Sequence, residues 1–322
     1  MARTVRQNAG VIGLGIIGSR VAANLCKAAF QKRNRTPRPE PNFLSSASEV
    51  AESAKIIQIF VSDGPALIET IEAMAPVVGP EHIILNHATI APKETIDAAR
   101  LIHDRHAKYL DAPFTGSRDA ADAAQLVFFI GGETDVLERA RPQLEVNAKA
   151  ILPIGEIGQG AAMKIATNLI VAVAVGSFAE AMSLLATTGI PLYKLGEALQ
   201  NHIAHSPLAD IKVPAMITGD FDPRFSLRHM FKDVQIALSM AQEHGIELPE
   251  AAAFAGSAMS GIQEGWGDLD FSCIAQHYGY PNQENTLPED VFAAAKAKPG
   301  ENGTSASHKE KRKRFLFFGR RE

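Results

Sequence analysis

Lys164 and Asn168 stand four residues apart in an Ala-rich apolar run from Ala161 to Thr188, and so share one face of any helix that run forms. Burying a lysine's charge among alanine, isoleucine and valine is costly. Desolvation drives its pKa from ~10.4 toward neutrality, the range in which a general acid/base works. A lysine in the first turns of a helix can instead carry its ammonium out to solvent along its own stem, and the residue pattern alone allows both. A second chemical feature is Val11-Ile12-Gly13-Leu14-Gly15-Ile16-Ile17-Gly18, a Gly-x-Gly-x-x-Gly run between a strand-like and a helix-like segment. That is the context of a dinucleotide-binding loop. Gly13 permits the tight turn, Gly15 lets backbone approach a pyrophosphate, and Gly18 allows close helix–strand packing. The helix N-terminus then offers amide N–H groups to the phosphates. Further on, Asn34-Arg35-Thr36 follows Lys32 and Arg33, with no acid before Glu40. An acid there would bind the ribose 2′-hydroxyl of NAD, whereas an arginine suits the 2′-phosphate of NADP. The residues favour NADP, with NAD as second candidate and a solvated basic loop as the plain alternative.

These side chains need elements to hold them. The first half alternates short apolar runs with helix-period segments, the pattern of a parallel sheet covered by helices. Strands are expected at Ala9–Gly13, Lys55–Val61, His82–Asn86, Lys108–Asp111, Leu126–Ile130 and Ala150–Ile154. Helices are expected near 16–29, 46–53, 65–75, 92–106 and 134–145, and Ser46 with Glu49 has capping-box spacing. The segment Phe30-Gln31-Lys32-Arg33 makes a poor central strand, lacking alternating β-branched residues. After Pro153 a glycine-rich joint leads into the 161–188 helix, stopped by Gly189 and Pro191, and only helices follow, near 192–202, 207–215, 226–244 and 249–264. The reading is an α/β Rossmann domain over 1–155, then an all-α substrate and dimerisation domain over 156–280, entered by a long interdomain helix. Residues 281–322, rich in Pro, Asn, Glu, Lys and Gly, are expected to have no packed core.

Composition excludes several classes. The 322 residues carry 32 Lys plus Arg against 36 Asp plus Glu, and are 46% hydrophobic and 21% charged, as in ordinary globular proteins. Cys26 and Cys273 lie far apart and form no Cys-x-x-Cys pair. His103/His106 and His202/His205 have no third ligand nearby, and no His-Glu-x-x-His or Gly-x-Ser-x-Gly motif occurs, so no metal is expected. Leu169 to Ala179 is about half a membrane span and is flanked by charge. The N-terminal MARTVRQN has no apolar signal core, so a cytoplasmic location without membrane contact is the expectation. Net charge is −4, but residues 309–322 total +5 and leave −9 for the rest. Nucleic-acid contact by that basic tail is the less favoured reading beside a solvated end.

Four segments in order resemble the β-hydroxyacid dehydrogenase family. They are the glycine loop with Asn34-Arg35-Thr36; Asp111-Ala112-Pro113-Phe114-Thr115-Gly116-Ser117 with Gln125-Leu126 and Gly131-Gly132; Gly158 through Lys164 to Asn168; and Phe231-Lys232-Asp233 with Gly245 and Pro249. The resemblance implies an NAD(P)-dependent oxidoreductase that interconverts a small hydroxyacid and its aldehyde or oxo acid, assembled as a homodimer or homotetramer. It makes Lys164 the acid/base and Asn168 a substrate-positioning partner. The backbone of Thr115, Gly116 and Ser117 would hold a substrate carboxylate. Val61, Ser62 and Thr89 would line the cofactor, with Lys232 on its nicotinamide side. Thr115, Ser117 and Ala124 depart from the family's Ser, Gly and Gly. The alternatives are an imine reductase on the same fold, a group that usually replaces the lysine, and a non-catalytic NADP-binding interaction protein.

Overall fold

Val11 and Ile12, Ile56 and Ile57, and Ile83 and Ile84 are neighbouring apolar pairs whose members are buried in two different core clusters. Successive side chains of a strand point to opposite faces, so a run with no polar alternation demands cover on both sides. The computed structural model, which describes residues 9–31, 42–280 and the backbone of 315–318, meets that demand with helices packed on each face of one sheet.

Strands β1 (Ala9–Ile12), β3 (Ile56–Ile59), β4 (Ile83–Asn86) and β5 (Lys108–Asp111) run parallel and in register, Ile12 opposite Ile59 and Ile59 opposite Asn86. Helices α1 (Gly18–Gln31), α2 (Ala47–Ser53), α3 (Gly64–Met74) and α4 (Pro92–His103) connect and cover them. Beyond β5 the sheet turns antiparallel through β7 (Leu126–Gly131), which pairs with β6 (Phe114–Thr115) on one side and parallel with β8 (Ala148–Gly155). The expected cap at Ser46 forms, its hydroxyl accepting from Glu49 N at 3.2 Å, but the Glu49 carboxylate reaches back to Ser45 N (2.9 Å), one residue earlier than a capping box would.

The other edge departs from expectation. Residues 281–322 were expected to lack a packed core, yet Phe315–Phe318 forms β9, antiparallel to both β1 and β2 (Asn42–Leu44) and inserted between them. Phe315 registers with Ile12 on one side and Leu44 on the other. The neighbourhood of the poor strand is instead helix at Phe30 and Gln31; Lys32 and Arg33, and the tail apart from β9, lie outside the described residues. Deleting 310–322 removes backbone partners from β1 and β2. Each lost hydrogen bond costs about 1 kcal/mol net, and release of four ordered residues returns part of this. A loss of about 2 kcal/mol and faster amide exchange in 9–12 are expected by denaturant titration and hydrogen exchange.

The described residues up to Lys164, with 315–318, make one compact unit, and those from 165 to 280 a second. The 28-residue α7 (Gln159–Ala186) begins in the first and continues in the second. The second unit adds α8 (Tyr193–Gln200), α9 (Pro207–Thr218), α10 (Leu227–Glu243), α11 (Pro249–Gln263) and 3₁₀ turns at Trp266–Asp268 and Phe271–Tyr278. Its core joins Ala172, Val175, Ala179 and Met182 of α7 to Met216, Met230, Val234 and Phe254. The buried Lys212 pairs with Asp270 at 2.6 Å, and Asp270 also accepts from the amides of Arg224, Phe225 and Ser272. Such complete satisfaction marks a structural ion pair.

Candidate active site

The glycine loop joins β1 to α1. Gly13 has φ 88°, and a Cβ there would collide with the Phe60 carbonyl, so only glycine makes this turn. A Cβ on Gly18 would strike the Gly13 carbonyl. Gly15 is different, because open space surrounds the position its Cβ would take. The protein itself therefore does not require glycine at 15, whereas a phosphate lying against the backbone would. Ile16 beside it is 61% exposed, and the first turn of α1 carries no acid to compete with an anion. The loop fits a dinucleotide pyrophosphate.

At the carboxyl ends of the neighbouring strands lie Val61, Ser62 and Thr89, the first and last half-buried and Ser62 exposed. The Ser62 hydroxyl donates to Asp63 (2.6 Å), whose other oxygen caps α3 through Ala66 N. Asn34, Arg35 and Thr36, which bear on NADP against NAD, lie outside the described residues.

The 111–117 segment is built around a carboxylate whose role spacing did not reveal. Asp111 ends β5, is fully buried, and accepts at Oδ2 from Gly158 N (3.1 Å) and Ala161 N (2.8 Å) at the start of α7. Burial pushes its pKa up to about 6, against the lowering effect of amide bonds from Ala161, Gly158 and Gly160. It ties the sheet to the turn that precedes Lys164. Further along, Gly116 has φ 135°, and a Cβ there would press on the Leu126 side chain. Ser117 has an ordinary φ of −78° and accepts from Ala120 N to cap α5 (Arg118–Asp122), so serine replaces glycine here without backbone strain.

On α7, Lys164 and Asn168 lie one turn apart, only 8% and 6% exposed. The ammonium therefore does not project freely into solvent. In the second unit Asn168 Nδ2 donates to Asp233 Oδ2 at 2.6 Å, and Asp233 Oδ1 lies 2.9 Å from Lys232 Nζ. Asp233 is 1% exposed and joins the two residues that the sequence had nominated separately. The signal for it was its place directly after Lys232 on an apolar helix face. Among the described residues no cluster of His, Cys, Asp and Glu has the makings of a metal site.

Residues 8–155 match the family model described as the NAD binding domain of 6-phosphogluconate dehydrogenase. Residues 158–278 match the NAD-binding of NADP-dependent 3-hydroxyisobutyrate dehydrogenase. A 2-hydroxy-3-oxopropionate reductase of Escherichia coli (strain K12) is 30% identical over 280 residues, covering 83% of this chain and 95% of the reductase. The chain belongs to the β-hydroxyacid dehydrogenase family. Another β-hydroxyacid dehydrogenase relative, the chloroplastic glyoxylate/succinic semialdehyde reductase 2 of Arabidopsis thaliana, is 29% identical over 281 residues, 83% of this chain and 78% of its own. The fold matches that of Mycobacterium tuberculosis 3-hydroxyisobutyrate dehydrogenase, solved with L-serine, at a TM-score of 0.74 and 24% identity, over 84% of this chain and 98% of that one. One departure from the β-hydroxyacid dehydrogenase pattern is strained, since Ala124 has φ 56°. Ala124→Gly relieves that left-handed backbone and should stabilise the fold by about 1 kcal/mol, less a few tenths for the freer unfolded chain, read as a raised urea midpoint.

Proposed function

We propose that the chain is an NAD(P)-dependent oxidoreductase acting on CH–OH groups, which interconverts a small carboxylate-bearing hydroxyacid and its aldehyde or oxo acid. The observation that carries this reading is the buried Lys164 one turn before Asn168, whose amide Asp233 orients. A bound NADPH or NADH would supply the hydride for reduction, and NADP+ or NAD+ would accept it in the reverse direction. The glycine loop Gly13–Gly18 would hold the pyrophosphate, with Val61, Ser62, Thr89 and Lys232 along the cofactor. The protonated Lys164 Nζ stabilises negative charge growing on the carbonyl oxygen and then delivers its proton there; in the reverse direction it removes the hydroxyl proton. Asn168 holds the same oxygen or its neighbour in place. The amides of Thr115, Gly116 and Ser117 would bind the carboxylate. Arg35 supports a preference for NADP by its charge.

The names of the two curated relatives support a semialdehyde or oxo-acid substrate, and the imine reductase alternative is less supported. Self-association as a dimer or tetramer is supported by Ile170 and Leu184 of α7, both about 70% exposed. A cytoplasmic location remains part of the proposal.

The test is oxidation of NADPH and NADH by purified protein with glyoxylate, succinic semialdehyde, tartronate semialdehyde and methylmalonate semialdehyde. Turnover of one of them, faster with NADPH, supports the reading. No turnover with any, alongside intact binding of the dinucleotide, would support a binding protein instead.

A further inference from the structure

Two polar side chains occupy positions where a buried parallel sheet ordinarily carries aliphatic ones. Gln58 sits in the middle of β3 and His87 follows the last residue of β4, and they are 1% and 2% exposed. His87 Nδ1 lies 2.6 Å from the Ala112 carbonyl, which can only accept, so Nδ1 carries the proton. Its Nε2 lies 3.1 Å from the Gln58 amide atom placed as Oε1, whose oxygen and nitrogen are told apart only by their partners. Burial keeps the imidazole neutral, pushing its pKa down to about 4, so Nε2 is an acceptor and the amide must turn its NH₂ toward it. That orientation gives the Gln58 amide nitrogen a hydrogen-bond partner that it otherwise lacks.

The ring links two loops. One face stacks on Phe60 at 4.4 Å and 18° between planes. Phe60 in turn underlies the cofactor loop: its N–H donates to the Ile12 carbonyl at 2.8 Å, and its own carbonyl fills the space a Cβ on Gly13 would need. The ring also contacts Phe128 at 5.4 Å and Phe114 at 6.4 Å, and Phe114 lies 6.0 Å from Phe60 as well. The β4–β5 ladder continues as far as Ala112 N, which donates to the Asn86 carbonyl, and Phe129 N donates to the Pro113 carbonyl. Between those two backbone bonds the Ala112 carbonyl is held by His87. A leucine would fill the same volume but hold nothing.

We propose that His87, braced by Gln58 and Phe60, is a positioning residue that sets the carboxylate-binding segment 112–117 relative to the glycine loop. It thereby tunes affinity for the carboxylate substrate and not for the dinucleotide. This rests on the functional reading above.

The experiment compares His87→Leu, which loses the donor, with His87→Asn, whose amide restores one near the Nδ1 position. His87→Leu should raise KM for the preferred aldehyde about tenfold, the usual consequence of losing one buried hydrogen bond, with the NADPH dissociation constant within about threefold of wild type. His87→Asn should recover most of that KM. Hydrogen exchange of the 112–120 region in ligand-free protein should be about tenfold faster in the leucine variant and near wild type in the asparagine variant. This readout needs no substrate, so a wild-type protein that reduces nothing sinks the functional reading while the exchange still decides this one. Equal KM and exchange in both variants, or unchanged values in the leucine variant, overturn the proposal. If His87→Leu does not fold, Gln58→Met, which keeps the Ala112 contact but unbraces the ring, must show a smaller rise in KM, and no rise overturns it.

Discussion

Lys164→Met lowers kcat for the preferred aldehyde about a thousandfold, within the range that a positioned general acid/base contributes. Dinucleotide affinity, measured by nucleotide fluorescence in the absence of substrate, stays within about threefold of wild type, because the proposed pyrophosphate contacts lie in the loop 13–18. Methionine is the informative replacement. It keeps the unbranched stem that α7 buries and removes only the ammonium, so the fold should persist with an unchanged or slightly raised melting temperature. A loss of kcat with KM nearly unchanged is the signature of a group acting in the transition state, whereas an equal rise in KM with kcat preserved would make Lys164 a substrate-binding residue only. A methionine variant that turns over at the wild-type rate would remove the central premise of the proposed chemistry.

The parts of this site that sequence made legible are those whose cause is local. Gly13, Gly15 and Gly18 declare themselves because a turn between a buried strand and a helix has few solutions. Lys164 and Asn168 do so because 3.6-residue periodicity places them on one face of a 28-residue helix. Residues whose role depends on partners distant in the chain were harder to place. Asp111 looks like an ordinary strand-end acid until Gly158 and Ala161 arrive from 47 and 50 residues away. Asp233 acquires meaning through Asn168, 65 residues earlier. The most distant case is β9, whose partner β1 opens the described chain, and four apolar residues between basic runs do not announce a position inside a sheet. Short β6 and α5 were missed for a plainer reason: two and five residues show no period.

Asp111→Asn should make the protein markedly more sensitive to acid, and His87→Asn less so. Asp111 has its pKa raised by burial from 3.8 to about 6 in the folded state. A raised carboxyl contributes stability that is fully present below 3.8 and is lost as pH rises through about 6, so this group favours folding on acidification. His87 has its pKa lowered by burial from 6.5 to about 4. A depressed imidazole contributes stability that is present above 6.5 and lost as pH falls through about 4. Each shift of two units or more corresponds to about 3 kcal/mol, so over pH 6.5 to 4 the two opposing contributions largely offset each other in the wild type. Asparagine titrates at neither site. Asp111→Asn therefore leaves the histidine loss unopposed, and stability relative to wild type falls by about 3 kcal/mol between pH 6.5 and 4. His87→Asn leaves the carboxyl gain unopposed and shifts by a similar amount in the other direction. Urea midpoints taken at half-unit steps across that window read both slopes, and the double variant should return to a profile near wild type. Parallel profiles for all four proteins would show that neither group is held in the protonation state that its burial implies.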